Sequence, residues 1–272
     1  VKTRHSLARV SKLWRDASKP AAAYPLRFDI DEFPDYSSHR FTRRIDMMDN
    51  DEALSLPYER VVGLLGKVGW YYVWDYAAEL GSVRLLKWAR VNNLPWSRQT
   101  CKYAAANGHL PALKYLHENG CPWDSNTCLY AALNGHLSVL QYLHENGCPW
   151  TSDTCSYAAQ NGHLSVLQYL HENGCPWDSD TCSAAASIGD LSALKYLHEN
   201  GCPWDSYSIC SSAARHGHLP ALQYLHENQC PWSSSTCYHA AHYKRWDCLQ
   251  YAVDNKCPRW EGYADKHAEH LR

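Results

Sequence analysis

No apolar run in the 272-residue chain approaches the roughly 18 residues that a membrane-spanning helix needs. The opening "VKTRHSLARV" lacks the apolar core of a secretory signal peptide. A cytoplasmic or nuclear location is therefore expected. Because the chain opens on Val1 rather than Met, an upstream segment is also expected, and secretion stays open. An excess of basic residues is missing too. The net charge is -2; Lys and Arg exceed acids by only twelve to ten over residues 1–70, and acids lead by eighteen to fourteen over the rest. That balance excludes a nucleic-acid footprint. There is no Gly-rich phosphate loop, no nucleophile elbow and no paired-carboxylate arrangement, so no catalytic residue, no cofactor and no enzymatic activity are assigned.

What the chain does have is repetition. "NGHLSVLQYLHENGCPW" stands twice, at Asn134–Trp150 and Asn161–Trp177. Equivalent cysteines are spaced by 27 residues from Cys101 to Cys128, Cys155 and Cys182, then by 28 to Cys210 and 27 to Cys237. The extra residue falls in "CPWDSYSIC", where an array tolerates insertion in a loop. Divergent copies flank these, Trp74 to Trp96 before and Cys237 to Trp260 after, which makes seven. Terminal copies of a solenoid face water on one side and are expected to differ.

Each copy reads as two short antiparallel helices. In "DSDTCSAAASIGDLSALKYLHENGCPW", Asp180 or Thr181 is expected to cap the first helix and Gly189 to end it in the left-handed conformation. Leu191, Leu194 and Leu197, three apart, give the second helix one apolar face. Asn200 and Gly201 close it, Pro203 prevents its continuation, and the following Trp is expected to fold back over the helix ends. One such stripe cannot be buried by its own copy, so the copies must stack around a continuous core.

The segments "AAANGHLPALKYLHENGC", "AALNGHLSVLQYLHENGC" and "AARHGHLPALQYLHENQC" resemble the ankyrin repeat: two alanines, two variable residues, Gly-His, a Leu-rich helix and a small residue at the end. The resemblance covers roughly 74 to 260 and implies an all-α ankyrin-like solenoid that binds a protein. In its alignment Cys101, Cys128, Cys155, Cys182, Cys210 and Cys237 take a buried leucine slot, and Cys121, Cys148, Cys175, Cys202, Cys230 and Cys257 a small alanine slot. An ordinary ankyrin repeat has about 33 residues. Those missing here fall where the protruding hairpin would be, which shifts the expected contact surface towards the first helices.

Thirteen cysteines and sixteen histidines also raise metal binding and disulfides. His117, Cys121 and Cys128 have a tolerable zinc spacing. Against it, the first copy places Arg90 and Leu94 where His and Cys should stand, and Leu for Cys is an apolar exchange that fits core filling. Disulfide pairing within a copy would equally explain why Trp74 and Leu94 replace both cysteines together. Core filling is preferred, no metal is assigned, and a metal- or thiol-dependent enzyme is the alternative. His109, His136, His163 and His218 give way to Asp190 and Ser82 in other copies, which suggests a shared cap at the start of the second helix. His117, His144, His171, His198 and His226 fall near the end of that helix, where a positive charge favours the dipole.

Variation between copies marks the candidate binding residues. The pair between the alanines and the glycine reads Leu133-Asn134, Gln160-Asn161, Ser187-Ile188, Arg215-His216 and His242-Tyr243 in successive copies. In ankyrin-like folds the matching positions lie on the concave helical face. Unconstrained solvated surface is the plainer account. Tyr103, Tyr130 and Tyr157, one turn earlier, suit either the core or an aromatic ledge.

The N-terminal part does not repeat. Between Leu7 and Ser18, "LARVSKLWRDAS" resembles the second half of an F-box through Val10, Ser11, Lys12, Trp14 and Arg15. That resemblance implies docking to a cullin-RING ubiquitin ligase adaptor. Leu7, Val10, Leu13 and Trp14 also make an ordinary capping stripe. The expected organisation is an F-box-like or capping helix at 1–22, a proline-bearing linker at 23–55, the array at 56–260 and a tail at 261–272. The partner is expected to be a protein, neither nucleic acid nor membrane; a secreted effector built of the same repeats is a further alternative.

Overall fold

The computed structural model describes residues 73–94, 96–97, 99–204 and 206–271. The F-box-like stretch at 7–18 and the linker at 23–55 lie outside them. The described residues are all-helical, with no strand among them. First helices are α1 (Val73–Glu79), α3 (Thr100–Ala106), α5 (Ser125–Leu133), α7 (Ser152–Gln160), α9 (Ser179–Ile188), α11 (Tyr207–His216) and α13 (Ser234–His242). Each is followed by its second helix: α2 (Val83–Val91), α4 (Leu110–Glu118), α6 (Leu137–Glu145), α8 (Leu164–Glu172), α10 (Leu191–Glu199), α12 (Leu219–Glu227) and α14 (Trp246–Asp254). A short α15 (Glu261–Lys266) packs on α13 and α14.

Helices of six to ten residues are too short to be stable alone in water, so stacking holds them. First helices pack on first helices in one layer and second helices on second helices in the other, the first layer being the more closely packed. The reason lies in side-chain size. Paired alanines, such as Ala104-Ala105, Ala131-Ala132, Ala158-Ala159 and Ala185-Ala186, are buried between first helices. Second helices contribute the larger Leu113, Leu116, Leu140, Leu143, Leu167, Leu170, Leu194 and Leu197, all buried in the same continuous core.

Helix starts differ from the sequence expectation. The cap of α9 is Asp178, whose carboxylate accepts the Asp180 amide, while Thr181 is buried at the third helical position. In α5 and α7 the residue equivalent to Thr181 completes a capping box, Asp124 with Thr127 and Thr151 with Thr154. In α9 the threonine does not close such a box: Thr181 Oγ1 pairs with Ser156 Oγ of the preceding copy at 3.1 Å, and Asp178 caps through the Asp180 amide alone. At the other end Gly189 closes α9 at φ 71°, as expected.

Candidate protein-binding face

Three side-chain ladders run along the array, and together they show which repeated residues build the scaffold and which are left over. The first lies in the core. All thirteen cysteines are free and buried. Cys101, Cys128 and Cys210 donate to the carbonyls of Cys121, Cys148 and Cys230 at 3.8–3.9 Å. Cys148, Cys175, Cys202 and Cys257 donate to the carbonyl of the first-helix cap in their own copy at 3.3–3.4 Å. Neighbouring thiols and then burial push Cys101, Cys128, Cys175, Cys202 and Cys210 well above the ordinary thiol range. Burial, with Asp247 adding to it, pushes Cys248 up to about 11. Thiols held protonated in this way are poor nucleophiles and poor metal ligands. Among the described residues no group of three or more His, Cys, Asp or Glu is arranged to hold a metal ion.

The joint loss of both cysteines in the first copy has its physical cause in this ladder. Trp74 Nε1 donates to the Leu94 carbonyl at 2.8 Å, the bond that Cys101 makes to Cys121 one copy later. The indole N–H replaces the thiol donor, and the second position supplies only its backbone oxygen.

The second ladder corrects the histidine expectation. His109, His136, His163 and His218 precede their second helices but make no side-chain capping bond. Their Nε2 atoms pair instead with the Glu79, Ala106, Leu133 and Ser187 carbonyls of the preceding copy at 3.0–3.1 Å. Only Ser82 and Asp190 are true caps, accepting the Leu85 amide and the Ser192 and Ala193 amides respectively. The imidazole reaches the open last turn of the neighbouring copy's first helix instead of the start of its own second helix. In the final copy Arg245 Nε takes over, donating to the Arg215 carbonyl at 3.3 Å.

The third ladder joins the loops. His117, His144, His171, His198 and His226 stack on Trp123, Trp150, Trp177, Trp204 and Trp232 with centroids 3.8–4.0 Å apart. The Trp thus folds back as expected. Nδ1 of His117, His171, His198 and His226 pairs with the hydroxyl of Tyr142, Tyr196, Tyr224 and Tyr251 in the next copy. In the first copy Arg90 lies over Trp96 at 5.2 Å and preserves the stack. Burial lowers the pKa of His226, against a smaller opposing effect of Glu227. The neutral ring in a stack, rather than a cation at a helix dipole, describes that residue.

With these positions occupied, the variable pair and its neighbours remain. Asn134, Gln160, Asn161, Ile188, Arg215, His216, His242 and Tyr243 are exposed; Leu133 and Ser187 are half-buried. Part of the pair is structural, for Asn134 and Asn161 donate through Nδ2 to the Tyr130 and Tyr157 carbonyls and close their helices. His216 Nδ1 does the same with Ser212, and Ser187 Oγ donates to Ala184. Tyr103 and Tyr130 are half-buried with Lys102 over both rings at 4.8 and 5.1 Å, while Tyr157 is exposed. Sequence reading missed Tyr207 and Tyr238, exposed on α11 and α13. Tyr207 lies in the one copy with an inserted residue. Tyr238 follows Cys237, where the other copies carry Lys102, Leu129, Ser156, Ser183 and Ser211, a variability that would have marked it.

Residues 102–181 match the family profile "Ankyrin repeats (3 copies)". Among solved structures the chain is similar to the human ASB11 ankyrin repeat domain, at 20% identity and a TM-score of 0.49 over 57% of this chain and 82% of that one. Comparison with curated proteins gives no match. No helix among the described residues is long and apolar enough to cross a membrane. Residues 102–181 thus match ankyrin repeats, and such repeats indicate a protein–protein interaction scaffold.

Proposed function

We propose that a protein partner lies across the first-helix layer, at Leu133, Asn134, Gln160, Asn161, Ser187, Ile188, Arg215, His216, His242 and Tyr243, with Tyr103, Tyr130 and Tyr157 beneath its N-terminal half. One observation carries this reading. Of the six large hydrophobic side chains exposed among the described residues, Tyr157, Ile188, Tyr207, Tyr238 and Tyr243 belong to first helices or their caps, and only Val91 to a second helix. Exposed aromatic and branched side chains confined to one layer are what a binding surface offers and what a merely solvated surface avoids. A photo-crosslinking residue at Gln160 or Ile188 is expected to trap the partner, and one at the exposed Lys195 of α10 is not. Equal trapping from both layers would remove the assignment.

The F-box-like residues Val10, Ser11, Lys12, Trp14 and Arg15 support a narrower version, in which the array is a substrate receptor of a cullin-RING ubiquitin ligase. Weak capture of a ligase adaptor by this chain, lost in Trp14→Ala, is the expected result. Capture that ignores the substitution would leave residues 7–18 as a cap for the array.

A further inference from the structure

The first-helix layer changes character along its length. The pair at the end of each helix is Glu79-Leu80 in the first copy, neutral in the next four, Ala106-Asn107, Leu133-Asn134, Gln160-Asn161 and Ser187-Ile188, and becomes Arg215-His216 and His242-Tyr243 in the last two, followed by Lys244 and Arg245. Arg215, His216, His242, Lys244 and Arg245 are all exposed. Neither α11 ("YSICSSAARH") nor α13 ("SSTCYHAAH") contains an acid, and among the described residues none of Arg215, Lys244 and Arg245 forms an ion pair. These cations therefore form no ion pair among the described residues, and Asp247, in the first turn of α14, is the acid nearest in sequence to Lys244 and Arg245.

They are also held in place. The Arg215 guanidinium lies over the Tyr243 ring at 4.9 Å, and Arg245 is tethered by its Nε bond to the Arg215 carbonyl. Arg215 donates none of its N–H groups to another described residue, and Arg245 donates only Nε, so the paired terminal N–H groups that grip a carboxylate are unspent. Around them is an aromatic platform: Tyr238 stacks on His242 at 5.6 Å, His242 meets Tyr243 edge-on at 4.9 Å, and His239 lies over Tyr243 at 6.2 Å. Lys244 adds a further feature. It holds φ 56° at the position where glycine holds 69–83° in the six preceding copies, a left-handed backbone conformation that side chains other than glycine rarely adopt.

We propose that this end of the first-helix layer receives an acidic segment of the partner protein, its carboxylates on Arg215, Lys244 and Arg245 and an aromatic side chain against Tyr238, His242 and Tyr243. The proposal rests on the first-helix reading above and names the chemistry of the partner there. Charge complementarity supports it, because only a negative group relieves a cluster of unpaired cations. Aromatic exposure favours a peptide over a bare polyanion.

The test uses the full chain and a short fluorescein-labelled peptide in which glutamates flank a central tryptophan. Saturable binding is expected, lost when glutamine replaces the glutamates and weakened roughly tenfold or more by Arg215→Glu with Arg245→Glu. Lys244→Gly separates folding from binding: it relieves the left-handed backbone, so thermal stability is expected to hold or rise while the peptide binds several-fold more weakly. Lys195→Glu, on the opposite layer, is expected to change nothing. Absence of peptide binding at low salt, indifference to the charge reversals, or equal affinity for a single-stranded oligonucleotide would overturn the proposal. If the peptide fails while crosslinks from Gln160 and Ile188 persist, only this chemistry is wrong and the first-helix reading stands.

Discussion

At the residue scale, one residue type plays different parts according to what the next copy places above it. Gly135 and Gly147 have nearly the same positive φ, 74° and 76°, yet a Cβ on Gly147 would meet nothing within 4 Å, whereas one on Gly135 would come within 2.7 Å of His163 Nδ1. Gly147→Ala should therefore cost only the left-handed backbone penalty, roughly 1–2 kcal/mol. Gly135→Ala should cost clearly more, since it also displaces the ring that binds the Leu133 carbonyl. Chemical denaturation of both variants, each combined with His163→Ala, gives the check: the excess at Gly135 should vanish without His163, and the cost at Gly147 should not change. The buried thiols supply a second prediction at this scale. With no exposed thiol in the array, and the ionisation of Cys101, Cys128, Cys175, Cys202 and Cys210 suppressed besides, they should react with a disulfide reagent slowly in the native protein and fast in denaturant. A rapidly reacting native population would contradict the packing described.

At the element scale, the helix pair was legible because its punctuation is local: a leucine stripe, Gly189 after α9, and Asn200, Gly201 and Pro203 after α10. What was not legible crosses between copies. The His163 bond to Leu133 spans 30 residues, and the His226 bond to Tyr251 spans 25. Within one copy each histidine looks like a cap or a dipole partner, and only the neighbour shows otherwise. These contacts predict a pH dependence. His226 and His239 have pKa values held below the ordinary 6.5, both chiefly by burial, and at His239 also by Arg215 and His242. The unfolded chain then takes up protons that the folded one refuses. Their stabilising contribution is complete above about 6.5 and is lost as pH falls through the window below it, towards the folded values. Thermal melts across that window should decline with acidification, and His226→Gln together with His239→Gln should flatten the decline.

At the scale of the whole molecule, a stacked array divides its labour between positions that hold neighbours and positions that no neighbour needs. The comparison of copies found the second class, but the identity of the exposed aromatics emerged only when Tyr207 and Tyr238 were seen outside the core, because a tyrosine in this sequence is half-buried in one copy, as Tyr130, and exposed in another, as Tyr157. Leu167 belongs to the first class, being fully buried in α8 midway along the array. Leu167→Ala should cost roughly 2–5 kcal/mol through lost burial and the cavity left behind. Since each copy is supported only by its neighbours, that loss should weaken the middle of the array and broaden its unfolding transition. Arg215 and His216 belong to the second class. Both are exposed, and the bond from Arg245 is to the Arg215 backbone oxygen, which any replacement keeps. Arg215→Glu with His216→Ala should therefore cost no more than about 1 kcal/mol, the worth of the exposed His216 bond to the Ser212 carbonyl, while weakening the acidic peptide and the captured partner. Parallel melts and binding titrations decide between the two classes. If the surface pair destabilises as much as Leu167→Ala, those residues belong to the scaffold and the recognition surface must be sought elsewhere on the array.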